Sequence, residues 1–250
     1  MLTFFKTLTN GSAPPQGYCY AGNPPDRETI GLIRAGAAQG RHKPHPRTPL
    51  SVQRFVILDT ETTGFDVDSD EVISVGAVVI EGGRLRHDQC FDRLVNPFRP
   101  IPPEVTGLTG ITPEMVASQP GIFPVLKDFF PYLGNSVIIG HSISFDLAFL
   151  NHKLQAYCRT QLVNPVLDTW AISRALYPEL PSHSLDHLLE HHGIEPHGRH
   201  TALGDALLTA QLFLSFLIIL KRRRIDSLRA LNRLLNSQLR QHVHLRILRL

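Results

Sequence analysis

The chain has 250 residues, of which 42% are hydrophobic and 19% charged, enough for one globular core with appended segments. Three widely spaced cysteines, Cys19, Cys90 and Cys158, form no C-x-x-C pair, which argues against a cysteine-based zinc site and a disulfide framework. The net charge of +3 is unevenly spread: residues 51–220 carry −9, residues 1–50 carry +4 and residues 221–250 carry +8. A body this acidic binds phosphate poorly unless bound cations or a basic tail reverse the local field.

The first residues, Met1 to Lys6, turn polar by Thr9-Asn10 and build no apolar signal region. The late apolar stretch Leu212–Leu220 is about half a membrane span. The expectation is a soluble, cytoplasmic protein in a reducing compartment. Residues 1–50 read as a flexible leader rich in Pro, Gly and Arg, with one short possible helix from Arg27 to Ala38.

Order is expected from Arg54. Phe55–Leu58 is a short buried-strand candidate, Val72–Ile80 a second and Phe91–Val95 a third, with Gly82-Gly83 as a hairpin signal between the last two. These three predict an antiparallel meander. The Pro-rich Asn96–Pro103 reads as a loop. Ile122–Leu133 has helical spacing, Val137–Gly140 reads as a strand, and Phe145–Tyr157, Asp168–Tyr177, Leu185–His192 and Thr201–Leu220 read as helices. Strands followed by alternating helices and strands indicate a layered α/β domain over residues 51–220. Residues 221–250 form a basic amphipathic helical tail, with Ile225, Leu228, Leu231, Leu235, Leu239 and Val243 at helical spacing. Such a tail has four possible uses: packing on its own domain, nucleic acid, an anionic membrane or a partner protein.

The strongest local signal is Asp59-Thr60-Glu61-Thr62-Thr63-Gly64 directly after the first strand. Residues two apart on a strand face one side, so Asp59 and Glu61 point together. Adjacent carboxylates repel, and a hard divalent cation relieves that repulsion. A lone D-x-E carries little weight, since a solvated turn explains it. Two further acids sit in apolar surroundings: Asp146 at the start of a helix after Gly140-His141-Ser142, and Asp205 in His200-Thr201-Ala202-Leu203-Gly204-Asp205. Each has an ordinary explanation as well, a dipole-stabilised first-turn acid or a surface position.

Taken together, Asp59-x-Glu61, then Asp146, then His200 with Asp205 five residues on, resemble the three motifs of the DnaQ-like DEDDh 3′→5′ exonuclease family, which includes polymerase III proofreading subunits. The resemblance covers about residues 54–220. It implies an α/β, RNase H-like fold with a central mixed β-sheet flanked by helices. It also implies that Asp59, Glu61, Asp146 and Asp205 hold two Mg²⁺ ions, for which Mn²⁺ can substitute, and that His200 is the general base. Thr62, Gly64, Leu108, His141 and Phe145 are the expected substrate contacts, with Leu108 as a wedge against the terminal base. Thr109 stands where many relatives carry histidine. The expected activity is hydrolysis at single-stranded or frayed 3′ ends, DNA ahead of RNA, in proofreading or repair. An exoribonuclease, and a subunit whose main role is association with a polymerase complex through the tail, are the alternatives.

Overall fold

Five segments pair into one sheet, the inner ones rich in β-branched residues: Phe55–Thr62 (β1), Val72–Glu81 (β2), Arg84–Leu94 (β3), Val137–Gly140 (β4) and Val166–Asp168 (β5). The order is β3-β2-β1-β4-β5. β1 pairs antiparallel with β2 and parallel with β4, and β4 pairs parallel with β5, so the sheet is mixed. The structure is a computed structural model that describes residues 20–247, with side chains described as far as residue 237. The β2–β3 hairpin turns at Gly82 and Gly83, with φ of 58° and 70°. Both lie in the left-handed region that a two-residue hairpin turn requires and glycine adopts without a Cβ penalty.

Helices cover both faces: Arg27–Gln39 (α1), Pro103–Thr109 (α2), Pro113–Ala117 (α3), Ile122–Leu133 (α4), Ser144–Cys158 (α5), Thr169–Leu176 (α6), Leu185–His191 (α7), Ala202–Arg222 (α8) and Leu228–Ile247 (α9). Alternation along β1 divides the core. Val56 and Leu58 join α1, α4 and α5 on one face, while Phe55 and Ile57 join α6, α7, α8 and α9 on the other.

β1 is longer than its apolar run suggests and continues through Asp59 and Glu61, because Gly76 and Ser74 of β2 pair with them. β3 begins seven residues before the expected Phe91, because its early part is exposed and lacks an apolar signal. β5 and the short α2 and α3 carry too few apolar residues to register as periodic.

The expected flexible leader over 1–50 divides. Residues 1–19 lie outside the described residues. Residues 20–50 are ordered against the body: Asp26 caps α1 by accepting from the Thr29 amide at 2.7 Å, and Ile33 and Ala37 are buried in the α4–α5 core. The basic tail also engages its own domain. Leu228, Leu231 and Leu235 are buried in the core cluster shared with α6, α7 and α8, where α9 packs on α6, and Leu50 N donates to Asp226 O. Among the described helices, α8 is long and apolar enough to cross a membrane, yet Leu208, Leu212, Phe213 and Phe216 on it are buried in the core against the sheet.

Candidate active site

The sheet sorts the acidic side chains by face. Asp59 and Glu61 follow Phe55 and Ile57 on the α8 side of β1, where the first turn of α8 brings Asp205. One carboxylate oxygen from each of Asp59, Glu61 and Asp205 lies within 4.8 Å of the others. Thr60 points to the opposite face. There Asp146, buried in the first turn of α5, accepts from the Thr60 amide at 2.8 Å and from the Thr60 hydroxyl at 2.7 Å, both at Oδ1. The structure therefore converges three of the four predicted acids and holds Asp146 beside them through the intervening threonine.

A close approach of backbone makes the convergence possible. Gly76 pairs with Asp59, and a Cβ there would overlap the backbone of Ala202 and Leu203. Only a glycine lets the start of α8 sit this tightly on β2. Thr201 caps α8, its hydroxyl accepting from the Gly204 amide at 3.2 Å. His200 precedes that cap, half-buried, with φ of 61°. A left-handed histidine is strained backbone that the surrounding turn must hold. The His200 amide donates to Asp205 Oδ2 at 3.3 Å, which joins the two predicted residues directly.

The electrostatics are those of a site that needs cations. Burial, then the charges of Asp146, Asp205 and Glu61, raises Asp59 well above the usual carboxylate range. Burial, reinforced by Asp205 and Asp146, pushes Glu61 up to about 7. Burial pushes Asp146 up to about 7 against the opposing hydrogen bonds from Thr60. Arg199 counters part of this charge. It forms an ion pair with Asp205 and a fork onto Asp186, Nε to Oδ1 at 2.6 Å and Nη2 to Oδ2 at 3.2 Å. Neither Arg199 nor Asp186 was singled out from sequence. The only available signal was a basic residue next to His200.

The expected substrate contacts separate into two groups. His141 lines the same cleft as Asp59 and Asp205. Its Nδ1 is 3.0 Å from Thr169 Oγ1, and burial pushes its imidazole down to about 4, so it is neutral at pH 7. Phe145 is partly buried against Phe149, and its ring is 6.0 Å from that of Phe65, an almost fully exposed aromatic at 89% that sequence reading passed over. Thr62 donates to Gly64 O at 2.6 Å, and Thr63 Oγ1 donates to Asp70 at 2.8 Å, which shapes the loop after β1. Lys153 on α5 fastens the end of that loop through a buried 2.7 Å contact with Glu71. Leu108 is exposed at 55% on α2. Thr109 is buried, donating to Val105 O and accepting from the Ile111 amide, so it serves the turn.

A mixed five-stranded sheet with helices on both faces and carboxylates gathered on its central strand defines an RNase H-like domain. The model of the exonuclease family RNase_T matches residues 56–213, and the chain belongs to this family, the DnaQ-like DEDDh exonucleases. It is 40% identical over 163 residues to the DNA polymerase III subunit epsilon of Aquifex aeolicus, covering 65% of this chain and 80% of that protein. It is 42% identical over 183 residues to a DNA polymerase III subunit epsilon-like protein of Rhodobacter capsulatus, covering 72% of this chain but only 26% of that longer protein. A solved structure of exonuclease X in complex with 5′ overhanging duplex DNA superposes with a TM-score of 0.52 at 26% identity, covering 66% of this chain and 92% of that one.

Proposed function

We propose that this protein is a metal-dependent 3′→5′ exonuclease that hydrolyses the terminal phosphodiester bond of single-stranded or frayed DNA 3′ ends. The observation that carries the reading is the convergence of Asp59, Glu61 and Asp205 within 4.8 Å on a buried strand end. Three carboxylates, two of them of raised proton affinity at Asp59 and Glu61, form an all-oxygen donor set, which suits a hard divalent cation. In this reading Asp59, Glu61, Asp205 and Asp146 hold two Mg²⁺ ions, with Mn²⁺ able to substitute. Bound cations supply Lewis acidity and offset the charge that develops on the phosphodiester oxygens.

The protein's own groups do the rest. His200 takes the proton of the attacking water as the general base. Asp205 steadies the His200 backbone through its amide contact. His141, neutral at pH 7, lines the cleft as a hydrogen-bonding ring for the arriving 3′ end. Thr62, Gly64, Leu108 and Phe145 form the rim that receives the terminal nucleotide, with Leu108 exposed for apolar contact against its base.

The names of the two relatives support a proofreading or repair role, with a polymerase supplied in trans. A cytoplasmic location follows from that role. The test is digestion of 5′-labelled single-stranded DNA with Mg²⁺. A ladder shortening from the 3′ end, abolished by chelator and by Asp59→Asn, is expected. Internal cuts, or full activity in folded Asp59→Asn, would overturn the reading. Matched RNA degraded faster than DNA would transfer it to an exoribonuclease.

A further inference from the structure

The chain has a single tryptophan, and it stands in the cleft that contains the acids. Trp170 lines this cleft of about 650 Å³ together with Asp59, His141 and Asp205. It remains 39% exposed, unusual for so large an apolar side chain. The Arg174 guanidinium lies over its ring at 4.9 Å, and the His183 ring meets it edge-on at 6.5 Å. Its backbone is fixed. Asp168 Oδ1 accepts from the Trp170 amide at 2.8 Å and from the Ser142 amide at 3.0 Å, which ties the start of α6 to the loop bearing His141. Ser173 Oγ donates to Trp170 O at 2.8 Å and contacts His183 Nδ1 at 2.9 Å, so the three side chains form one unit.

We infer that Trp170, backed by Arg174, is a stacking platform for a nucleobase of the single-stranded DNA leading into the site. This rests on the exonuclease reading. An aromatic face accepts any base, whereas hydrogen-bonding groups would select one, so the platform gives grip without sequence preference. Arg199 lines this cleft and Arg174 lies over the Trp170 ring, which places positive charge near an acidic floor, where a phosphate backbone needs it. Thr62, Gly64, Leu108 and Phe145 do not line this cleft, so Trp170 is assigned to the strand upstream of the cleaved bond. It acts on binding and residence, and it holds no reacting atom.

Because Trp170 is the sole tryptophan, intrinsic fluorescence reads this contact directly in the unmodified protein. Titration with phosphorothioate oligothymidylate in Mg²⁺ is expected to quench the emission saturably. In Trp170→Ala, KM for oligothymidylate is expected to rise about 10- to 100-fold, the range that loss of one stacked base produces, with kcat changed far less. Trp170→Phe, which keeps an aromatic face, is expected to restore most of the KM. Normal DNA degradation with no quenching, and an unchanged KM in Trp170→Ala, would overturn the platform while leaving the exonuclease reading intact. Absence of both degradation and quenching would overturn both. A KM that rises equally in Trp170→Ala and Trp170→Phe would also overturn it, because packing rather than stacking would then be responsible.

Discussion

Thr60 decides the geometry of the acids. In Asp59-Thr60-Glu61 the two carboxylates share one face and the threonine faces Asp146, so a single strand serves two helices at once. The cost appears as raised proton affinity at Glu61 and Asp146, both pushed up to about 7. In the unfolded chain these groups ionise in the ordinary carboxylate range, near pH 4. Between about pH 4 and 7 the metal-free folded state therefore holds protons that the unfolded state has lost. Their contribution to stability is present below this window and is lost as pH rises through 7. Thermal unfolding in chelator is expected to show Tm falling across this range. Added Mg²⁺ is expected to remove the fall, since a cation replaces the protons. A Tm that rises with pH in chelator would contradict the buried acid cluster.

At the scale of elements, α8 carries the site because β2 lets it come close. Gly76→Val would place a branched side chain against the Ala202–Leu203 backbone. Overpacking of this kind costs about 1–3 kcal/mol, and here it also lifts Asp205 away from Asp59. The expected outcome is a modest loss in urea unfolding together with loss of calorimetric Mg²⁺ binding. A variant that is destabilised yet binds metal normally would separate α8 seating from the site. α9 has a different duty. Its Leu231 is fully buried in the core shared with α6 and α8, and Leu231→Ala is expected to cost about 2–5 kcal/mol in chemical denaturation. Nuclease activity per folded molecule is expected to persist, because none of the site residues lies on α9.

Across the whole molecule, charge is divided between an acidic body and basic ends. Residues 51–220 carry −9 and residues 221–250 carry +8, and the structure folds the described part of the tail back onto the body. The remaining local deficit of positive charge is at the acid cluster, which Arg199 meets only in part. A divalent cation that binds the fold and not the unfolded chain stabilises it by mass action, about 2.7 kcal/mol at one hundred times its dissociation constant. Differential scanning calorimetry is expected to show Tm rising with Mg²⁺ or Mn²⁺, and Asp59→Asn is expected to abolish most of that rise. An equal rise in the variant would place the cation elsewhere.

The family, its fold and the set of acids were legible in sequence, because each rests on local pattern. Apolar runs mark strands, 3.6-residue spacing marks helices, and D-x-E, Asp146 and His200-x₄-Asp205 fall at readable positions. Tertiary structure alone decided which acids meet. Asp146 and Asp205 are 59 residues apart and reach opposite faces of one strand, and no sequence period encodes which face a distant helix will cover. The same holds for Gly76, Arg199, Phe65 and Trp170. A glycine, an arginine and two aromatics are unremarkable in a linear chain, and they stand out only through what the fold brings against them.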